Sequence, residues 1–98
     1  MKIKTLVGVR KVENEMGGEI TLAYYLTEET RKKDQGESLY GAGIVKKTKE
    51  GEESEWLDGL SHIRERAEGL LACLMQGAVT PLSMASVTDD LMADCVEP

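Results

Sequence analysis

The sequence predicts an α+β domain in which three or four antiparallel strands form a sheet and a C-terminal two-helix hairpin packs on one face. The first half alternates apolar and polar residues between turn signals, which is typical of strands. Two helix-start signals then follow each other across a short turn. With 98 residues the chain predicts a single domain, 1–98, divided into a sheet (1–58), a helical hairpin (61–92) and a loose tail (93–98).

Residues 2–12 predict the first strand. Ile3, Val7 and Val9 fall on one side, which we expect to face the core, and Lys4, Gly8 and Arg10 fall on the other. The turn that follows ends in Gly17-Gly18, residues that tolerate positive φ.

Residues 19–28 predict the second strand, with Ile20, Leu22, Tyr24 and Leu26 toward the core and Tyr25 on the open face. The segment 28–37 is charged and carries no apolar residue, so it predicts a mobile loop.

Residues 38–48 predict the third strand, and both of its faces carry apolar side chains. We assign Tyr40, Ala42 and Ile44 to the core; a register shifted by one residue would turn Leu39 and Val45 inward instead. Gly41 and Gly43 then share the open face, where paired glycines indicate a bulge or the close approach of another backbone.

Residues 52–58 predict a short fourth strand. Its glutamates suit an edge, because charge discourages pairing with other chains. Trp56 is the expected anchor of this strand.

Ser61 is the expected N-cap of a first helix over 62–76, with an apolar stripe that is completed at Leu74. The full stripe consists of Ile63, Ala67, Leu70, Leu71 and Leu74. Gly77 is placed to end this helix in the left-handed conformation. Thr80 is the expected cap and Pro81 the first residue of a second helix that frays after Met92, with Met84, Val87 and Leu91 on its apolar side.

The residues predict no catalytic, cofactor-binding or metal site. His62 stands alone, without a second ligand at metal-binding spacing. Cys73 is expected to be a packed or partly buried thiol near a helix C-terminus, where the dipole disfavours thiolate. Asp89, Asp90 and Asp94 form an acidic helix face without the rest of a calcium loop.

Composition also bears on compartment and partners. The net charge of −6 argues against nucleic acid and anionic membranes as partners, since an acidic surface repels phosphate. Cys73 and Cys95 are expected to lie too far apart along the hairpin for a disulfide, which predicts free thiols in a reducing cytoplasm. No segment is apolar enough to predict a signal peptide or a membrane span.

A set of motifs resembles a family of short uncharacterised proteins, a domain of unknown function, from Gram-positive bacteria. The motifs are YYLTEE (24–29), LYGAGIVKK (39–47), the D-x-x-S helix start at 58–61 and VTPLSMASVTDDL (79–91). The chain departs from the pattern at Gly43 and Gly59. The resemblance implies a bacterial cytosolic domain and carries over no functional residue.

The leading functional hypothesis is a small non-enzymatic protein-interaction module with an accessory or regulatory role. With both helices on one side of the sheet, Leu6, Tyr25, Leu39 and Val45 are expected to form an apolar surface on the open face. This surface predicts an unknown protein partner or a weak C2 homodimer. A nucleic-acid-associated protein and a small enzyme are the alternatives.

Overall fold

The computed structural model describes residues 2–13, 16–30 and 37–95, with side chains described as far as residue 90. It is an α+β fold with a four-stranded antiparallel sheet in the order β1-β2-β3-β4, followed by two helices packed against the sheet. The elements are β1 (Lys2–Glu13), β2 (Glu19–Thr30), β3 (Ser38–Thr48), β4 (Gly51–Ser61), α1 (Arg64–Gln76) and α2 (Pro81–Cys95). The predicted fold class is confirmed.

The core lies between the helices and one face of the sheet. The alternation of β2 places Leu22, Tyr24 and Leu26 in this core, as predicted. The other members of the core cluster are Ala42, Ile44, Ala67, Leu70, Leu71, Leu74 and Met84.

The third strand has the predicted register. Ala42 and Ile44 are fully buried in the core, and Tyr40 packs against it. Pairing of Tyr25 with Gly43 and of Ala23 with Val45 places the alternate residues of β3 on the face turned away from the helices. The shifted register is therefore wrong.

The predicted facing of β1 is wrong over part of its length. A β-bulge between Leu6 and Gly8 inserts one extra residue, so the alternation changes phase in the middle of the strand. Gly8 pairs with buried Tyr24 and meets Met75 of α1, whereas Val9 pairs with Ala23 on the opposite face. Ile3, Val7 and Val9, expected in the core, are exposed.

The predicted N-cap of the first helix is also wrong. The fourth strand is longer than expected and runs to Ser61, which pairs with Tyr40 of β3. The Ser61 hydroxyl accepts a hydrogen bond from the Ile63 amide at 2.9 Å, and α1 begins only at Arg64. Ile63 therefore precedes the helix and is exposed, while the rest of the predicted stripe is buried.

The C-terminus of α1 is built around Ala78 rather than Gly77. Gly77 has φ −85°, whereas Ala78 has φ +48°. The Val79 amide donates to the Leu74 carbonyl at 3.0 Å and the Ala78 amide to the Met75 carbonyl at 3.1 Å. This pattern is a Schellman motif with alanine in the left-handed position, one residue after the predicted glycine.

The second helix begins at Pro81, as predicted, and extends to Cys95 rather than fraying after Met92. The Ser83 amide donates to the Thr80 carbonyl at 3.1 Å. Met84 is fully buried and Val87 packs against the core. The side chain of Leu91, most of the predicted loop and the end of the predicted tail lie outside the described residues.

Candidate interaction surface

The largest group of exposed apolar side chains in the described residues lies along β1, an edge strand of the sheet. Ile3, Leu6, Val7 and Val9 are 42–52% exposed. Only Met16, Ile63 and Leu82 join them as exposed large hydrophobic residues in the part of the chain that the structure describes. More than half of these exposed large hydrophobic residues therefore lie on β1.

The two edges of the sheet carry opposite charge. The four bases of β1 are Lys2, Lys4, Arg10 and Lys11, and its one acid is Glu13. The acids of β4, the other edge, are Glu52, Glu53, Glu55 and Asp58, and this strand has no base. Although the net charge of the chain is −6, the sheet therefore has one basic edge and one acidic edge.

The face turned away from the helices is covered in part by Trp56. Leu6, Tyr25, Gly43 and Trp56 lie in one row across the four strands. The Tyr25 and Trp56 ring centroids are 5.5 Å apart, with the ring planes tilted by 48°. Lys4 Nζ lies 4.2 Å from the centroid of a Trp56 ring, within cation–π range.

A second contact links the two edges across this face. Lys2 Nζ donates to Asp58 Oδ2 at 2.6 Å, in an ion pair whose side chains are about one-third exposed. Three strand spacings separate β1 from β4, roughly 14 Å in a flat sheet. Lysine side chains of β1 therefore reach over β2 and β3 at the Lys2 end of the sheet.

The four residues expected to form the interaction surface all lie on this face, but they differ in access. Leu6 is 52% exposed, Tyr25 and Leu39 are half-buried, and Val45 is only 8% exposed. Leu6 pairs directly with Tyr25. Leu39 pairs with Glu29, closer to the end of the sheet at which Lys2 lies. Apolar access is therefore greatest at the β1 side of the face.

The paired glycines of β3 explain how β4 lies so close. A Cβ at Gly41 would collide with the Leu57 carbonyl oxygen, and a Cβ at Gly43 would collide with the Trp56 ring. The expected close approach of another backbone is confirmed at Gly41. At Gly43 the neighbour is an aromatic ring, which rests directly on the backbone of β3.

Side chains on the opposite face connect β1 and β2 to the helical hairpin. Arg10 Nη1 donates to the Met75 carbonyl at 2.7 Å, placing a cation at the C-terminal end of α1, where the helix dipole favours it. The Tyr24 hydroxyl donates to the Val79 carbonyl at 2.9 Å. Burial raises the pKa of Tyr24 above its usual value, and the nearby Arg10 charge partly offsets this.

The residues considered for chemistry are dispersed. His62 is exposed, with Nδ1 3.2 Å from the Ser38 carbonyl oxygen and 3.7 Å from a Glu37 carboxylate oxygen. Cys73 is a free thiol on the exposed side of α1, so the expectation of a packed or partly buried thiol is wrong. Asp89 and Asp90 are exposed, and the Asp94 and Cys95 side chains lie outside the described residues.

No group of three or more histidine, cysteine, aspartate or glutamate side chains within the described ranges could hold a metal ion. An open cleft of about 510 Å³ lies at the β3–β4 turn and combines lysine with glutamate. Its lining residues are Ile20, Lys46, Thr48, Glu50, Gly51, Glu52 and Glu53. This lining contains no cysteine, histidine or serine nucleophile.

The sequence predicts the exposure of Leu6 but not that of Ile3, Val7 and Val9, because uninterrupted alternation does not allow for the bulge in β1. Leu6 and Val7 are adjacent apolar residues, followed by Gly8. An apolar pair beside a glycine inside a strand is a bulge signal. A bulge at this position separates Ile3 and Thr5 from Val9 and places Val9 on the open face.

No helix of the described residues is long and apolar enough to span a membrane. Comparison with curated proteins and with solved structures gave no match. A model of one protein family matches residues 3–94, which covers both the sheet and the helical hairpin. The chain therefore belongs to the family of unknown function DUF6514.

Proposed function

We propose that this protein is a non-enzymatic protein-interaction module with an accessory or regulatory role, and that it binds its partner along the outer edge of β1. The observation that carries the proposal is the exposure of Ile3, Leu6, Val7 and Val9 on a single 12-residue edge strand.

Two physical effects make this edge suitable for binding. An edge strand presents unpaired backbone N–H and C=O groups, and an extended segment of a partner can add to it as a further strand. Each Å² of apolar surface covered by the partner contributes on the order of 25 cal/mol before the entropic cost of association. Burial of the apolar side chains therefore contributes affinity, and backbone hydrogen bonds fix the direction in which the partner's segment runs along β1.

The charge of β1 selects among partners. Its four bases and one acid favour an acidic segment, and they speed encounter with it through electrostatic attraction. The acidic edge at β4 disfavours the same segment there. A partner is therefore directed to one side of the sheet.

We further propose that the protein acts in the bacterial cytoplasm. The exposed free thiol of Cys73 supports this compartment, because free exposed thiols persist where the environment is reducing.

Site-specific photo-crosslinking in the native cells tests the proposed surface. A benzophenone amino acid replaces Val9 on β1, and a matched variant carries it at Ser83, an exposed position of α2. We expect protein adducts, identified by mass spectrometry, to form at Val9 and not at Ser83. Equal adduct formation at both positions, or adducts with nucleic acid alone at Val9, would overturn the proposal.

A further inference from the structure

The structure itself supplies an acidic strand that fits the β1 edge. We infer that the occupant of this edge is the β4 edge of a second copy of the chain, paired antiparallel in a head-to-tail arrangement. This inference rests on the proposed function, because it names the partner that the β1 surface binds.

The sheet order sets the direction of pairing. In the order β1-β2-β3-β4 every neighbouring pair is antiparallel, so β1 and β4 run in opposite directions. A second copy placed beside β4 in the same orientation therefore presents its β1 antiparallel to β4. The sheet continues without turning either molecule over.

The register of the rows then brings opposite charges together. Lys11 pairs with Thr21, Thr21 with Lys47, and Lys47 with Glu52, which defines one row across the sheet. Continuing that row into a second copy places Glu52 beside its Lys11. The adjacent row, which runs from Arg10 through Leu22 and Lys46 to Glu53, places Glu53 beside Arg10.

A twofold pairing of β1 with β1 is disfavoured by the same charges. Antiparallel pairing about the middle of this strand brings Lys4 of one copy near Arg10 of the other. Like charges placed opposite each other across strands are destabilising. Antiparallel pairing of two β4 edges about Glu53, the middle of segment 51–55, places the two Glu53 side chains opposite each other.

The contacts within one molecule differ between the two halves of each edge. At one end, Lys2 is paired with Asp58 and Lys4 lies over Trp56. At the other, Arg10 donates to the Met75 carbonyl, and Lys47 lies 3.8 Å from Glu52 in an ion pair whose side chains are more than half exposed. Bulges interrupt β1 between Leu6 and Gly8, and β4 where it passes Gly41. The segments 8–12 and 51–55 lie beyond both interruptions, and these segments form the inferred junction.

The helices leave room for this arrangement. Neighbouring strands rotate by about 20–25° each, so a repeat of four strands turns successive copies by roughly 90°. The helical layers of adjacent copies then point in different directions and do not compete for one space. Because each copy keeps a free edge, the assembly grows past a dimer unless it closes into a ring.

Analytical ultracentrifugation across a hundredfold range of concentration tests the inference on the full chain. We expect the average mass of the native protein to rise with concentration and to fall again at high salt, because exposed charges are screened. Lys11→Glu alone and Glu52→Lys alone should each remain monomeric, since each opposes like charges at the junction. An equimolar mixture of the two should regain association, because both kinds of junction in the mixture pair opposite charges.

Two control variants match the charge changes away from the edges. Arg66→Glu on α1 and Asp90→Lys on α2 alter the net charge as Lys11→Glu and Glu52→Lys do, at exposed helical positions, and should associate like the native chain. A native chain that stays monomeric throughout, or variants whose mixture remains monomeric, would overturn the inference. Adducts of Val9 with a different protein would then still support the proposed function.

Discussion

Gly43 sets how closely Trp56 lies against the sheet. The Trp56 ring rests on the β3 backbone at this glycine and takes contacts from Tyr25 and Lys4. The absence of a β-carbon at Gly43 therefore allows the side chains that cover the open face to pack together. Gly8, on the other face, performs a similar role for Met75, but its neighbour is the end of a flexible side chain.

Gly43→Ala is expected to displace the Trp56 ring and to lower the free energy of unfolding by about 1–3 kcal/mol, as overpacking does. Urea denaturation measures the loss, and the emission of the single tryptophan should shift to longer wavelength as the ring becomes more exposed. Gly8→Ala is the matched control, because Met75 Sδ, 2.6 Å from the added Cβ, can move aside. Equal losses in both variants would contradict this explanation.

Tyr24→Phe is expected to lower the free energy of unfolding by about 1 kcal/mol near neutral pH, since the Val79 carbonyl loses its donor. Burial, partly opposed by Arg10, raises the folded-state pKa of Tyr24 above the unfolded value. This stabilising contribution is present below the unfolded pKa of about 10 and is lost as pH rises through the folded pKa.

Urea denaturation of the native chain and of Tyr24→Phe from about pH 8 to about pH 11 checks this sign, because that window spans the usual tyrosine pKa. The difference in unfolding free energy between the two proteins should narrow as pH rises. A constant difference across the window would show that the Tyr24 hydroxyl does not titrate differently in the folded state.

At the scale of elements, the ends and interruptions of the strands and helices are governed by backbone conformation. Ala78 takes the left-handed position at the end of α1, although Gly77 stands next to it. Gly59 has φ +67° where β4 bulges past Gly41. Hydrogen bonds of the Schellman motif and of the β3–β4 pairing determine these positions, and the order of glycines in the chain does not.

Two glycine substitutions separate backbone strain from packing. A Cβ at either Gly59 or Gly69 would meet no atom within 4 Å, so neither substitution creates a clash. Gly59→Ala is expected to cost about 1 kcal/mol, because only glycine adopts its left-handed φ without strain. Gly69→Ala, inside α1, is expected to stabilise by up to about 1 kcal/mol.

Thermal and urea denaturation of these two variants measures the opposite signs directly. A stabilising effect of Gly59→Ala would show that the β4 bulge does not hold its positive φ in solution. A destabilising effect of Gly69→Ala would show that an added β-carbon on the exposed side of α1 collides with other atoms of the protein in solution.

At the scale of the whole molecule, charge is separated across the sheet. The basic β1 edge and the acidic β4 edge lie at opposite ends of the strand order. Acidic residues nevertheless outnumber bases by six, so the long-range field is negative. Short-range pairing along an edge and long-range repulsion of polyanions are therefore compatible in one molecule.

The native chain is expected to pass through a heparin column without retention at roughly 150 mM salt, where the Debye length is about 8 Å. The four bases of β1 are then too few to overcome the surrounding acids. A basic protein of similar size serves as the positive control for the column. Strong retention would favour the nucleic-acid-associated alternative.

The sequence by itself determined the fold class, the core face of β2 and the start of α2, and the structure chose between the two registers that the sequence allowed for β3. Alternation in β2 and the Thr80-Pro81 step are local signals, and each depends on neighbouring residues alone. The tertiary structure alone decided which residues of β1 face the helices, because the position of a bulge depends on pairing with the neighbouring strand β2. It likewise decided that Ser61 joins β4 instead of capping α1, since pairing with Tyr40 competes with the local capping preference.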